Sequence, residues 1–293
     1  MTIGSRSFAL GLWAVVSSSA FAQDAQALRG EAPATRAADA AKAVEEPDPG
    51  WTLRFEPAVW YAGISGNLRM PGAPAGAGRT TIRALNGDSP RMSPFAEVHA
   101  RLGDWRLSVS GAFFSTDRDS IAASASQVGP IVVAPGDVLA TSLDFTTFEV
   151  LGGYSLGRWS LVPRTEGGFG WEPEILLVGG VRYFGVDFEV QGPGGVTASA
   201  DEAFVQPAIG FRAEMELVEA FSIDVQTLVG YWPDEESTSV DIVVGFVWKP
   251  IDGLGVQVGY RHAWLDLTSG EGANEFHFDG ATAGLYAGIE LKY

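Results

Sequence analysis

The chain has 293 residues, a formal net charge of −17 at pH 7 and no cysteine. The acidic balance argues against nucleic acid as a partner, because contacts to backbone phosphates require a basic surface. Without cysteine the chain can form no disulfide, thiolate nucleophile or cysteine metal site. Its 37 glycines and 11% aromatic residues are typical of a turn-rich, all-β protein.

The first 22 residues predict a cleaved export signal. Arg6 is the only charged residue before an apolar run from Phe8 to Val16, and Ala20-Phe21-Ala22 follows it. A charged segment, an apolar segment and an A-x-A site in this order are typical of a secretory signal peptide. The apolar run is too short for a transmembrane helix, which needs about 20 residues. We therefore expect residues 1–22 to be removed after export.

Residues 23–50 predict a disordered periplasmic tether. This segment has almost no large apolar side chains and is rich in Ala, Glu and Pro. Such a composition buries too little apolar surface to offset the entropy lost on ordering.

From residue 51 to residue 293 the chain divides into about ten segments of alternating hydrophobicity. In Ala281–Tyr293 the odd positions are apolar, whereas the even positions are polar, glycine or tyrosine. Three consecutive segments between residues 205 and 249 keep every charged residue on one face. Segments 174–191 and 253–268 alternate less cleanly, and their phase changes just after Arg182-Tyr183 and Arg261-His262. We predict a β-bulge at each of these two points.

The lengths of the connections predict how the strands cross a membrane. Connections after odd-numbered strands are mostly long and polar, at about 71–91, 117–137, 192–202, 232–237 and 269–280. Those after even-numbered strands are short, except for 157–173. Long outer loops and short periplasmic turns are typical of outer-membrane barrels. We predict an all-β, antiparallel, up-and-down transmembrane β-barrel over residues 51–293, with about 10 strands (8–12). Aromatic residues that could form its interfacial girdles are Trp51, Trp105, Trp171, Trp248 and Tyr293 on the inner side and Tyr231 and Trp232 on the outer side.

Five parts of the chain carry a resemblance to a known group of proteins. The exported leader, the first strand FEPAVWYAGISG, the segments GGVRYFGVDFEV and VGYRHAWLDL, and the closing GLYAGIELKY resemble the small outer-membrane β-barrel proteins of Gram-negative bacteria, of the OmpA-like and OmpW-like kind. The resemblance covers residues 51–293. It implies location in the outer membrane, contact with the lipid bilayer and lipopolysaccharide, and a terminal aromatic, here Tyr293, that the barrel-assembly machinery reads. The lipid face has no obvious self-association patch, so we expect a monomer.

The predicted lumen carries charges of both signs in near balance. In a confined space such charges are expected to pair, because burying an isolated charge is costly. We therefore predict a plugged or very narrow lumen, and the alternative is a small, cation-leaning, porin-like channel. The predicted lumenal residues are Arg54, Glu56, Glu97, His99, Arg101, Arg106, Glu149, Arg212, Glu214, Glu216, Asp224, Asp241, Lys249, Glu290 and Lys292.

The three histidines bear on whether the protein is an enzyme. His99 lies between Glu97 and Arg101 on the predicted lumenal face, where we expect an ion-paired plug. His262 lies near Arg261 and Asp266, and His277 lies near Glu275 and Asp279, so either imidazole could be oriented for hydrolysis. The one G-x-S-x-G match, Gly153-Tyr154-Ser155-Leu156-Gly157, lies at the end of a predicted strand and not in a strand-to-helix elbow. The chain has no paired aspartate motif like that of the omptin proteases. We predict no catalytic residue and no cofactor, and we keep a hydrolase using His262 or His277 as an alternative.

Two acidic groups could bind Ca²⁺ or Mg²⁺, namely Asp234-Glu235-Glu236 and the group Glu271, Glu275 and Asp279. Neither contains a full ligand loop, so we predict solvated side chains and no metal. The leading functional hypothesis is a non-catalytic outer-membrane barrel with a structural or surface-interaction role. The second is a narrow passive channel for small solutes or ions.

Overall fold

A computed structural model describes residues 50–293, apart from residues 75, 163–169, 219 and 234–236. The predicted signal peptide and the tether, except for Gly50, lie outside the described residues. Ten long strands account for most of the described chain. They are β1 Trp51–Arg69, β2 Arg91–Leu102, β3 Trp105–Ile121, β4 Val138–Arg158, β5 Glu172–Gln191, β6 Thr197–Val218, β7 Phe221–Trp232, β8 Ser237–Ile251, β9 Leu254–Ser269 and β10 Phe276–Lys292.

These ten strands form a closed barrel. Each pairs in antiparallel fashion with the next strand along the chain, and β10 pairs with β1. At the inner end of that seam, the amide of Tyr293 donates to the carbonyl of Leu53 at 2.8 Å, and the amide of Leu53 donates to the carbonyl of Tyr293 at 3.1 Å. The prediction of an up-and-down antiparallel barrel of about ten strands is confirmed.

The exterior of the barrel carries a belt of exposed apolar side chains. An apolar exterior on a closed barrel is the arrangement that lets strands cross lipid without unpaired backbone groups. The inner-side and outer-side aromatic residues proposed for the girdles are all exposed. Among the described residues, no helix is long and apolar enough to span a membrane. Further belt residues include Val59, Tyr61, Leu107, Phe113, Val150, Val181, Val205, Ile209, Phe211, Phe246, Val258 and Leu285.

Three strands extend further from the inner end than their alternation predicts. β3 continues to Ile121 rather than ending near Thr116, β6 begins at Thr197 rather than near residue 203, and β10 begins at Phe276 rather than near residue 281. Residues predicted as loops are therefore paired strand. The outer connections also contain short elements, which are a two-residue strand, Thr80–Thr81, on β1, a hairpin of Ser126–Val128 with Ile131–Val133, and the 3₁₀ turns Ile82–Leu85, Pro193–Gly195 and Gly272–Asn274.

The two predicted β-bulges are wrong. The pairing of β5 with both neighbours runs without a register shift through Arg182, and so does that of β9 through Arg261. In β5 the even-numbered residues from Glu174 onward, apart from the half-buried Gly180, stay buried on the inner face. What changes is the polarity of the two faces. Beyond Arg182 the inward residues are apolar, starting with Phe184, and the outward residues include Asp187 and Glu189.

The same inversion occurs in β9, and it divides the barrel into two halves. Below Arg261 the strand turns Gln257 inward and Val258 outward, whereas above it Leu265 is buried and Asp266 is exposed. The half that contains Trp51 and Tyr293 has a charged lumen and a lipid-facing exterior, and we call it the ionic half. The other half has an apolar core and a polar exterior, and we call it the apolar half. Its core includes Leu68, Ile82, Leu85, Phe114, Leu139, Leu143, Phe145, Phe184, Phe188, Phe204, Leu265, Leu267, Phe276 and Phe278.

Candidate functional site

The candidate site is the lumen of the ionic half. All fifteen charged or titratable residues predicted for the lumen point inward. Those nearest the inner end of the barrel line its inner mouth. Fully buried members are Glu56, His99, Arg106, Glu149, Arg212, Asp241 and Glu290. Members that line the cavity at the inner mouth include Arg54, Arg101, Glu214, Glu216, Asp224, Lys249 and Lys292.

Ion pairs cross the full width of this lumen. Arg54 on β1 lies 3.2 Å from a carboxylate oxygen of Glu214 on β6, and these strands are diametrically opposite in a ring of ten. Arg54 also contacts Glu56 at 2.8 Å and Glu290 at 3.5 Å. A guanidinium with three carboxylate neighbours places positive charge at the centre of the barrel, where it offsets the desolvation of those carboxylates.

A second guanidinium completes this lower network. Arg212 on β6 donates to Asp224 at 2.9 Å and to Glu97 at 3.3 Å. Two of its terminal nitrogens each lie 3.4 Å from a ring nitrogen of His99 on β2. Arg106 donates to both carboxylate oxygens of Glu214, at 2.8 Å for the Nη2 contact. The predicted pairing of lumenal charges is thus present in the structure, and His99 lies within the paired group.

An upper network joins two arginines that the sequence analysis did not place in the lumen. Arg182 contacts Glu149 at 2.8 Å and Asp241 at 2.6 Å, and Arg261 donates to the same Asp241 at 3.0 Å. All four groups are buried. Both arginines lie at the positions where the sequence predicts β-bulges. If the alternation of inward and outward residues is continued through Arg182 and Arg261 without a bulge, both side chains fall in the lumen.

The upper network also contacts the aromatic side chains above it. The guanidinium carbon of Arg261 lies 5.7 Å from the ring centre of Phe95 and 6.0 Å from that of Trp60. Arg182 lies 5.2 Å from the ring centre of Phe184. Guanidinium groups are attracted to aromatic faces within about 6 Å. These contacts therefore stabilise the boundary between the ionic and apolar halves.

Aromatic side chains meet across the lumen of the apolar half. The rings of Phe204 on β6 and Phe276 on β10 have centres 6.2 Å apart, although three strands separate them around the barrel. Phe145 and Phe184 stack at the same distance. Contacts across the barrel axis between rings of this size leave no wide passage at this level. At this level the lumen of the apolar half is filled by packed side chains.

Two cavities lie in the ionic half. One has a volume of about 260 Å³ and is lined by residues of the inner mouth together with His99 and Arg106. The other, of about 40 Å³, lies further in and is lined by Glu56, Glu97 and Tyr286 among others. The larger cavity is therefore a pocket lined by charged side chains. It lies at the inner end of the barrel, where β1 begins and β10 ends.

The structure separates the residues grouped around His262. Its imidazole lies on the exterior, with its ring centre 3.8 Å from that of Trp264 and its Nδ1 3.1 Å from the Tyr260 hydroxyl. Arg261 points to the opposite side, into the lumen. His262 is therefore part of an exterior aromatic cluster, and the grouping with Arg261 does not form.

His277 lies on the exterior of the apolar half beside Thr268 and Asp266, the second of which was predicted as a neighbour of His262. The Nδ1 atom of His277 is 3.0 Å from the Thr268 hydroxyl, and its Nε2 is 3.3 Å from Asp266. The distance to Asp266 is within range, but the angle does not satisfy a hydrogen bond, since Nε2 has no hydrogen-bond partner among the described residues. A general base requires an aligned partner, and Nε2 of His277 has none in the described part of the chain. The two predicted neighbours of His277 pair with arginines, Glu275 with Arg69 at 3.6 Å and Asp279 with Arg79 at 3.3 Å. The acidic group Asp234-Glu235-Glu236 lies outside the described residues.

Comparison with known proteins yields matches of fold alone. No protein-family model and no curated protein matches the sequence. Among solved structures, the outer membrane protease OmpT from Escherichia coli is 9% identical, covering 85% of this chain and 100% of its own, with a TM-score of 0.45. The translocator domain of the autotransporter NalP from Neisseria meningitidis is 12% identical (88% and 94% covered, TM-score 0.40). Neisserial surface protein A is 12% identical (83% and 97% covered, TM-score 0.30). By its own strand pairing and apolar belt, the chain is a small outer-membrane β-barrel, as the resemblance in its sequence implied.

Proposed function

We propose that the protein is a non-catalytic outer-membrane barrel, closed to solutes, with a structural or surface-interaction role. The observation that carries this proposal is the contact of Phe204 with Phe276 across the apolar half. Below it, the Arg54–Glu214 pair bridges the same lumen. A channel needs a continuous water path through the lumen. Two successive layers of packed side chains argue against such a path.

The exterior of the apolar half supports a role at the cell surface. Asp144, Asp187 and Asp201 are direct neighbours on β4, β5 and β6, and all three face outward beyond the apolar belt. Like charges in directly opposed positions are destabilising. These three carboxylates form an acidic surface that favours cationic partners. Such partners include the divalent ions that lie among lipopolysaccharide phosphates.

The remaining parts of this proposal concern export and assembly. Residues 1–22 would be cleaved on export, and residues 23–50 would tether the barrel on the periplasmic side. Strand β10, with Tyr293, would be the segment that the barrel-assembly machinery reads, and the assembled barrel would be a monomer in contact with lipid and lipopolysaccharide. Supporting these assignments are the apolar run Phe8–Val16 and the pairing of Tyr293 with Leu53.

Single-channel recording in planar bilayers tests the closed lumen. We expect the purified barrel to show no discrete openings. The matched variant replaces Phe204 and Phe276 together with Arg54 and Glu214 with alanine, which removes the contacts across the lumen in both layers and should produce openings. Retention of the barrel is checked by its shift in gel mobility on heating. Discrete openings from the unaltered protein would overturn the proposal in favour of a narrow channel.

A further inference from the structure

We propose that Glu56, Glu97 and His99 bind one divalent transition-metal ion in the ionic half. The sequence predicts no metal, since neither of its two acidic groups contains a full ligand loop. The structure brings one carboxylate oxygen from each glutamate and one imidazole nitrogen to within 4.8 Å of one another. Glu56 and His99 are buried, and Glu97 is half-buried.

The register of β1 against β2 creates this group. Glu56 lies directly opposite Glu97, and Arg54 lies directly opposite His99. Two carboxylates in directly opposed positions on a buried face repel each other. They are stable there only with positive charge between or beside them. Arg54 supplies part of that charge to Glu56 from one side, at 2.8 Å.

The separations between His99 and the two glutamates are compatible with coordination of one metal ion. The Nε2 atom of His99 lies 3.2 Å from Glu97 and 3.4 Å from Glu56. Hydrogen bonds between nitrogen and oxygen are usually 2.7–3.2 Å long, with a mode near 2.9 Å. Two ligands bound to Zn²⁺ at about 2.0 Å in tetrahedral geometry lie about 3.3 Å apart. The observed separations are therefore close to two edges of a zinc tetrahedron.

The surroundings of His99 favour the neutral imidazole that a metal requires. Its Nδ1 lies 2.8 Å from the Ser108 hydroxyl, which can accept the Nδ1 proton and leave the Nε2 lone pair directed at the glutamates. A polar contact of this kind fixes the orientation of many metal-binding histidines. The guanidinium of Arg212 lies 3.4 Å from each ring nitrogen and opposes protonation of the ring, and an ion bound at Nε2 would displace Arg212 Nη2 from that lone pair.

The charge of the connected network leaves room for a divalent cation. Three guanidinium groups, of Arg54, Arg106 and Arg212, are joined by ion pairs to the five carboxylates of Glu56, Glu97, Glu214, Asp224 and Glu290. With a neutral His99 the network carries a net charge of −2. One divalent ion neutralises it, and uncompensated charge in a desolvated lumen is costly.

An ion can reach this group from the inner end. His99 lines the cavity of about 260 Å³ at the inner mouth, and Glu56 and Glu97 line the adjoining cavity of about 40 Å³. The smaller volume is enough for a water molecule as a fourth ligand. One imidazole with two carboxylates suits Zn²⁺, Co²⁺ or Mn²⁺ better than Ca²⁺ or Mg²⁺, which prefer all-oxygen sites.

Calorimetric titration of the detergent-solubilised barrel with Zn²⁺ tests the site. The protein carries no polyhistidine tag and is first treated with a chelator. We expect one ion per barrel, at least 100-fold weaker binding for His99→Ala, and 10- to 100-fold weaker binding for Ser108→Ala. Titration with Co²⁺ should give the visible absorption bands of a tetrahedral site in the unaltered protein and not in His99→Ala.

His262→Ala is the matched control, because it removes an imidazole from the exterior and should leave Zn²⁺ binding unchanged. The folding of all variants is checked by heat-dependent gel mobility. If His99→Ala fails to fold, Ser108→Ala still tests the site, because this substitution removes only one oxygen atom. The proposal is overturned if the unaltered barrel binds no Zn²⁺, or if Zn²⁺ binding is the same in the Ser108, His99 and His262 variants. Neither result depends on whether the lumen conducts.

Discussion

Arg182 on β5 and Asp241 on β8 lie 2.6 Å apart at the centre of the barrel, with almost none of either side chain exposed. Three strand positions separate them around the barrel, so the pair fixes the distance between two walls. Asp241 also accepts from Arg261, and Arg182 also contacts Glu149. The four groups carry no net charge together, which is the condition for burying them at tolerable cost.

Replacing Arg182 with methionine should destabilise the barrel by about 3–5 kcal/mol, because it leaves Glu149 and Asp241 buried without their shared partner. The measurement is urea-induced unfolding in lipid vesicles. The matched control is Arg158→Met, whose side chain is 57% exposed beside Glu174. It should change the free energy of unfolding by about 1 kcal/mol or less. Equal effects of the two substitutions would contradict a central role for the upper network.

Replacing Gly259 with alanine should cost about 1–3 kcal/mol through overpacking. Gly259 pairs directly with Tyr286, and a Cβ at Gly259 would overlap the Tyr286 ring. The ring also covers Gly245, where an added Cβ would meet the hydroxyl at 2.6 Å. In a Tyr286→Ala background the Gly259→Ala substitution should therefore cost little. A double-mutant cycle of unfolding free energies measures the difference, and strict additivity would argue against the predicted overlap.

Replacing Phe184 with alanine should cost about 3–5 kcal/mol, as for other fully buried aromatic residues. Phe184 packs in the core of the apolar half, 1% exposed. Ile121→Ala provides the comparison, because Ile121 is 72% exposed near the outer end of β3 and should change stability by only about 0.5 kcal/mol. Urea unfolding of both variants, followed by tryptophan fluorescence, checks the prediction. Similar midpoints would show that the apolar half has no packed core.

The absence of native cysteine allows a clean test of orientation. Glu189→Cys lies on the exterior of the apolar half, Val205→Cys in the apolar belt and Asp252→Cys in an inner turn. In intact cells a membrane-impermeant maleimide should label only Glu189→Cys. After permeabilisation of the outer membrane, Asp252→Cys should react as well, whereas Val205→Cys should stay protected by lipid. Labelling of Asp252→Cys in intact cells would reverse the orientation.

The sequence predicts the architecture well because one rule governs the ionic half. There the lipid requires apolar residues outward, so charged residues fall on the inner face, and the lumenal positions of Arg54, His99 and Glu214 follow from parity alone. The strand count and the closed pairing follow from the same alternation and from the turns between strands.

The sequence does not reveal the apolar half, because the rule reverses there without any break in the strand. In a sequence, charged residues that move from the inner face to the outer face give the same pattern as a one-residue shift of the strand. The sequence therefore predicts a bulge at Arg182-Tyr183. The sequence also does not predict which charged residues of the lumen pair with each other. Alternation assigns Arg54 and Glu214 to one face, but only the closure of ten strands shows that they meet across the diameter.

The reversal of polarity has a mechanical consequence for how deeply the barrel is immersed. Movement toward the periplasm by two residues, about 6.6 Å of strand, would draw Asp187 and Asp201 down into hydrocarbon. The opposite displacement would lift Tyr183 and Val205 into water. Membranes of unequal thickness must therefore stretch or compress around this protein, because its vertical position is fixed by side chains on both sides of a single boundary.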